Sequence, residues 1–497
     1  MRFIVKDMDI ATGDAPIVIL NEKDANDLDL HHMDRVIVKR GRRELVAALD
    51  IAESSKAVPP KKIGFFEEAL DGLGVVHNDT VTLKFTDRPH SFACIHKKMD
   101  GKELSEKEML AIIHDIARNR LTAIELTSFV VSLYVQGMSD REVLFMSKGL
   151  AQSGETIEFK ERPIVDFHCI GGVPGNRTTM IVGPILVAAG LRVPKTSSRA
   201  ITSPAGTADS MEVLCPVTLS AKQLKRLVRE VGGVIAWGGG VNLAPADDQM
   251  IRIEHPLHIN AEGEMLASIM AKKSNVGASH VLIDIPVGKE TKVTDRDQAH
   301  RLSRKFTKLG KALGMKVKTI ITDGSEPVGN GIGPVLEARD CLFVLKNDER
   351  APKDLLKRSV KMAGSILEFA GKAKRGKGNH MAKRLLRTGA AYGAMVRMIE
   401  AQGGKEVQPD DLKIAPKQQV VKARKSGIIT QINNKHITKI ARLAGAPINK
   451  EAGVFLEVHR GDTVKKGDTL FVVHAKSERK IKYALEAYDE FDGIVIK

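Results

Sequence analysis

Polar and apolar residues alternate with period two at the start of the chain. The opening MRFIVKDMDI and the runs Ile17–Leu20, Arg35–Val38 and Thr80–Phe85, with turn residues between them, predict a small β-rich unit over residues 1–86. The segment Asp87–Asp100, carrying Pro89, reads as a linker. The period then changes. Ser105 with Glu108, Thr122 with Glu125 and Ser139 with Glu142 each form an S/T-x-x-E start signal, in which hydroxyl and carboxylate satisfy orphan N–H groups of a helix. Behind the first, Met109, Ile112, Ile113 and Ile116 share one helical face, the mark of core packing. From Ile164 short apolar runs alternate with glycine-rich turns and helical stretches: Ile181–Ala189, Leu224–Gly232, Val281–Val287, Val317–Ile321. Such βα alternation predicts a largely parallel sheet covered by helices. A helix over Leu266–Lys273 belongs with the earlier helices, which makes the helical domain discontinuous. Residues 415–497 are strand-rich again, with helical stretches at His436–Ala446 and Ser477–Asp489.

Composition adds bounds. A chain of 497 residues, 43% hydrophobic and 28% charged, is that of a soluble globular protein of two to four domains. Aromatics are 4% with the single Trp237, so the core must rest on Ile, Leu, Val, Ala and Met. No apolar run reaches the roughly 18 residues of a membrane span, and the first residues do not form a signal peptide, so a cytoplasmic location is expected. Cys94, Cys169, Cys215 and Cys341 are far apart with no CxxC, which suggests buried thiols and neither a metal site nor a disulfide framework. The net charge of +16 invites a nucleic-acid reading, densest at Lys372–Arg387. That run lacks interleaved aromatics and reads first as a solvated helix face. The same field would draw in an anionic small substrate.

Several segments could carry chemistry. Gly171–Thr179 (GGVPGNRTT) follows a short apolar run and precedes an apolar helix beginning near Met180. Its glycines, with Arg177, Thr178 and Thr179, suit an anion at a helix N-terminus, and suit a structural turn as well. It is neither a Walker loop nor GxGxxG. Thr196–Asp209 (TSSRAITSPAGTAD) packs hydroxyls around Arg199, which can bind phosphate through two N–H groups. An ST-turn capping a helix over Asp209–Val213 explains it equally. Ser268 and Lys272 lie four apart on one helical face, with Lys273 pointing elsewhere. Asp284–Lys292 and Thr322–Pro334 each follow a strand, where α/β ligand loops lie, yet read first as plain loops. Gly461–Leu470 looks like the turn of biotinyl and lipoyl carrier domains without their modifiable lysine.

Taken together, SSRAITSPAGTAD, IGGVPGN, LASIMAKK and DGSEPVGNGIGPVLEARD, in this order, resemble the thymidine and pyrimidine nucleoside phosphorylase family over essentially the whole chain. The resemblance is strongest to its longer branch, which includes the AMP phosphorylases and has a β-rich N-terminal extension. It implies an α domain and an α/β domain with the active site in the cleft between them, usually in a homodimer and sometimes in higher assemblies. The chain would then divide into a β-rich assembly extension (1–86), a first helical part (87–163), the phosphate-binding part of the α/β domain (164–244), a second helical part (245–275), the continued α/β domain (276–414) and an α+β hammerhead-like part (415–497).

Residue by residue, the resemblance places the Gly-rich loop at Gly171 and Gly172 and the base-facing histidine at His168. It places the phosphate and ligand loop at Ser198, Arg199, Ala200, Ile201, Thr202 and Ser203, with Thr207 after it. The helix contacts fall on Ser268 and Lys272, and the branch's extra ligand lysine on Lys292. The implied reaction is phosphorolysis of a nucleoside monophosphate, AMP and phosphate giving adenine and ribose 1,5-bisphosphate, with CMP and UMP as further substrates. Inorganic phosphate is the co-substrate, and no cofactor or metal is expected. The alternatives are phosphorolysis of thymidine or uridine, and a binding or assembly protein with weakened catalysis. Three departures bear on these. Phe167-His168-Cys169 replaces KHS, removing a phosphate-binding Lys and Ser, and TSPAGT replaces GHTGGT, which favours the AMP branch. The PLxxD segment, whose aspartate donates a proton in AMP phosphorylases, here ends in Asn260, which has no ionisable proton. Another acid would have to substitute, with His168, His258, Asp247 and Asp248 as candidates by proximity in sequence.

Overall fold

The computed structural model describes residues 1–12, 16–85, 89–200, 203–490 and 493–497. The chain forms two compact units, Met1–Ser153 with Pro245–Ala267, and Gly154–Ala244 with Ser268–Lys497.

In the first unit, strands β1 (Arg2–Asp7), β2 (Ile17–Asn21), β3 (Arg35–Arg40), β4 (Arg43–Ala52), β5 (Lys62–Phe65) and β6 (Thr80–Phe85) close into a barrel of order β1-β5-β2-β4-β3-β6. The alternation read from the sequence turns Phe3, Val5, Val18, Leu20, Val36, Val38, Ile63 and Leu83 into its core. Closure leaves no free strand edge. The three start signals are capping boxes as expected, opening helices Glu106–Ala117, Ala123–Gln136 and Asp140–Gln152. Glu125 also pairs with Arg35, tying barrel to helices.

The linker expected over Asp87–Asp100 is instead largely a helix, Ser91–Met99. A buried lysine holds it. Lys98 Nζ lies 2.8 and 2.9 Å from the two oxygens of Glu142, and that carboxylate also accepts the N–H groups of Leu104 and Ser139. A charge satisfied by such a network can be buried, and nothing in the run HKKM advertises it.

The second unit is built on parallel strands. Strands β7 (Val165–Cys169), β10 (His280–Val287) and β11 (Lys316–Asp323) run in the order β11-β10-β7, and β8 (Val193–Ser197) pairs with β9 (Gly233–Trp237). A parallel bridge from Ile164 to Arg192 joins the two groups. Helix Thr179–Ala188 is buried along most of its length, with Met180, Ile181, Val182, Ile185 and Leu186 in the main core. Residues after 415 add antiparallel strands, among them Lys417–Lys422, Gly453–Leu456 and Thr469–Ala475, around their own core. The basic run is a solvated face as read. Helix Gly378–Arg387 buries Ala382, Leu385 and Leu386 and exposes Lys383, Arg384 and Arg387. No helix among the described residues is long and apolar enough to cross a membrane.

Candidate active site

Three loops leave the C-terminal ends of β7, β10 and β11, and glycines bring them into backbone contact. Gly171 and Gly172 take φ of +97° and +90°, a region open to glycine. A Cβ on Gly172 would lie 3.0 Å from Thr291 Cα and 3.1 Å from the Lys292 nitrogen. A Cβ on Gly288 would lie 2.5 Å from the Gly324 carbonyl oxygen. Thr291 locks the middle loop from inside, its hydroxyl donating to the Val293 carbonyl at 2.7 Å. The Gly-rich segment thus sets its backbone against the start of Lys292, as a close approach between loops requires.

The side chains after those glycines hold the loop in place. Arg177 Nε is 2.5 Å from Glu337 Oε2, and its guanidinium also donates to the carbonyls of Asn176 and Ala205 and to Ser210 Oγ. Thr178 donates to Asn176 Oδ1 at 3.0 Å. The charge that the sequence offered to an anion at Arg177 is spent on a buried glutamate.

The loop after β8 is closed by a residue the sequence reading passed over. Asp209 accepts the N–H groups of Ala200 at 2.7 Å and Gly206 at 2.8 Å through one oxygen. The helix it stabilises is Thr207–Met211, starting two residues before the expected Asp209. Spacing carried a signal, since in GTAD the aspartate stands three residues after the N-cap. The Ala200 amide therefore turns inward. Arg199 is engaged as well, its two terminal nitrogens lying 2.7 and 2.6 Å from Glu212 and its guanidinium 4.9 Å from the Trp237 ring centroid. Arg199, and then Lys450 at 2.6 Å, hold the Glu212 carboxyl down at about 2. Arg199 thus braces the loop through Glu212 and Asp209. Ser198 is exposed, Ser203 donates to the Ala205 carbonyl at 2.9 Å, and Thr207 opens the helix. Ile201 and Thr202 lie outside the described residues.

Gly206 tests this closure. A Cβ there would stand 2.5 Å from the Ser198 oxygen and 2.6 Å from the Arg199 carbonyl carbon, both backbone atoms that cannot swing aside. Gly206→Ala is expected to push the loop off Asp209 and to destabilise the unit by about 1–3 kcal/mol, the cost of overpacking against fixed atoms. Urea unfolding of the variant beside the wild type checks it.

His168, next to last in β7, faces a cationic field. Burial first, then Lys273, Lys195, Lys292 and Lys272, hold its imidazole well below the ordinary range, so at neutral pH it is uncharged. It can face a base as a neutral hydrogen-bond donor or acceptor but not as an imidazolium acid. Cys169 beside it is an inert thiol, pushed by burial to about 12. Ser268 and Lys272 lie partly exposed on helix Glu262–Asn275, while Lys273 turns inward to Asp166, as the spacing predicted. Asn260 is an exposed residue of the first unit, just before that helix. Among the described residues no group of three or more His, Cys, Asp or Glu is arranged to hold a metal ion.

Residues 93–154 match the helical bundle domain of a glycosyl transferase family, 161–392 match that family's a/b domain, and 428–494 match a pyrimidine nucleoside phosphorylase C-terminal domain. The AMP phosphorylase of Pyrococcus furiosus is 42% identical over 498 residues, covering 100% of this chain and 98% of its own. AMP phosphorylase 1 of Archaeoglobus fulgidus is 42% identical, covering 96% and 94%. The crystal structure of anthranilate phosphoribosyltransferase from Thermus thermophilus superimposes with a TM-score of 0.53 at 18% identity, covering 62% of this chain and 98% of that one, a likeness of fold.

Proposed function

From the premise that the chain belongs to the thymidine and pyrimidine nucleoside phosphorylase family, in its longer branch, we propose that it cleaves AMP with inorganic phosphate to adenine and ribose 1,5-bisphosphate. It is a pentosyltransferase. The observation that carries the substrate is the 42% identity to AMP phosphorylases along the entire chain.

The reaction forms a bond from a phosphate oxygen to C1′ and breaks the bond from C1′ to the base nitrogen, whose electron pair leaves with the base. The transition state is oxocarbenium-like on the sugar and anionic on the base, so it needs donors at the base and exclusion of water. We assign the phosphate cradle to the loop Ser198–Ser203 with Thr207, shaped by Asp209 and braced by Arg199. We assign ligand orientation to Gly171, Gly172, Ser268, Lys272 and the exposed Lys292, with the neutral His168 toward the base. Lys292, set against Gly172, supplies the cation that a 5′-phosphate calls for. The reaction asks for no cofactor. A homo-oligomer fits the exposed apolar face Ile124, Val131, Tyr134 and Val135 of helix Ala123–Gln136.

Release of free base from AMP, CMP, UMP, thymidine and uridine, with and without phosphate, tests the reading. Phosphate-dependent release from AMP is expected. Release from the nucleosides alone would favour the pyrimidine nucleoside reading suggested by the C-terminal domain. Phosphate-independent release would make the protein a hydrolase.

A further inference from the structure

A buried charge cluster beneath the loops has no part in the roles above. Asp166 of β7 is 0% exposed, and Lys195 of β8 and Lys273 of helix Glu262–Asn275 are each 2% exposed. Lys273 Nζ lies 2.7 Å from Asp166 Oδ2, and Lys195 Nζ 3.4 Å from Oδ1. Lys195 Nζ also donates to the Thr196 carbonyl at 2.9 Å and stands 5.4 Å from the Phe167 ring centroid. Two ammonium groups thus share one carboxylate in the interior.

An uncompensated buried charge is expensive, so the excess must be relieved by loss of a proton or by an anion close by. The field beside the cluster is positive: after burial, the largest influences on the neighbouring His168 are the cations Lys273, Lys195, Lys292 and Lys272. Lys195 is the looser partner of Asp166 by distance, and it is the one burial drives down, to about 7, with Asp166 opposing and Lys273 adding to the fall. It sits in the strand that runs directly into Ser198, where the proposed phosphate loop begins.

We propose that Lys195 is a charge-compensating positioning residue for the phosphate co-substrate, uncharged in the empty site and taking up a proton from solvent as the dianion settles on the loop that follows its strand. This rests on the phosphorolysis reading. The step makes and breaks no bond other than N–H. It leaves the cluster neutral when the site is empty and adds one positive charge toward the dianion when the site fills. Lys273 stays paired with Asp166, and His168, held neutral by burial and then by the same cations, does not compete for the proton.

Titration calorimetry of inorganic phosphate into the full-length protein at pH 8, in buffers of different ionisation enthalpy, reads the proton directly. The ligand is already mostly dianionic there. The wild type is expected to take up a large fraction of one proton per phosphate. Lys195→Met keeps the length, leaves Asp166 and Lys273 as a neutral pair, and should lose that uptake while raising the phosphate KM about tenfold or more. Its AMP KM should change less. Lys195→Arg, permanently charged, should bind phosphate without the uptake. Equal proton uptake in wild type and Lys195→Met, with adenine still released from AMP, overturns the role of Lys195 alone. Absence of both phosphate heat and adenine release in the wild type overturns the phosphorolysis reading with it.

Discussion

Asn260→Asp is expected to raise kcat for adenine release from AMP by about ten- to a hundredfold, part of the roughly 10²–10⁴-fold that a positioned general acid supplies. The departing base accumulates negative charge. An amide at the position where the family carries an acid can donate a hydrogen bond to it but cannot transfer a proton. Asn260 is exposed and lies just before helix Glu262–Asn275, whose first turn begins with the Ala261 carbonyl accepting from Met265. A buried carboxyl in the same unit is the other candidate acid. Glu264 is 1% exposed, and burial first, then Glu254 and Asp247, raise its carboxyl well above the usual range. If Glu264 already serves as the acid, Asn260→Asp gives no gain and Glu264→Gln abolishes turnover. Stopped-time assays of both variants separate the two. A gain in the first with little loss in the second is the expected result.

The sequence carried those parts of the fold that repeat a short period. Four barrel strands and the starts of the three capped helices depend on neighbours two to four residues apart and were legible, whereas the strands Arg43–Ala52 and Lys62–Phe65 were not marked. Helix Ser91–Met99 was hidden because its anchor, Lys98, finds Glu142 through a fold that brings 44 residues of chain together. The same limit shaped the site. Residue types marked the loops correctly, since hydroxyls and glycines crowd where backbones meet. They could not show which cations were already taken. Arg199 is engaged by Glu212, 13 residues on. Lys273 meets Asp166 across 107 residues. Lys195 alone left a mark, a charged residue inside the short buried strand VPKTS.

Arg177 is where this distinction has its largest consequence for stability. Arg177→Met is expected to destabilise the unit that carries it by about 3–5 kcal/mol, the cost of stranding the other half of a buried ion pair. The stranded group is Glu337, whose side chain is 0% exposed. Without Arg177 it keeps two donors, Ser210 Oγ at 2.9 Å and the Gly333 amide at 3.2 Å. The guanidinium also leaves the Ala205 carbonyl, which belongs to the loop that Asp209 closes. Burial already raises the Glu337 carboxyl from its ordinary value, against the pull of Arg177. Removing the arginine raises it further. Between the unfolded value and that higher folded one, the native state binds more protons than the unfolded state, so stability falls as pH rises through the window. The deficit of Arg177→Met should therefore be small near pH 5 and large near pH 8, and Glu337→Gln in the same chain should relieve most of it at pH 8. Urea unfolding of the three proteins at both pH values measures this. A variant as stable as the wild type at pH 8, with a raised KM for phosphate, would make Arg177 a ligand and not a strut.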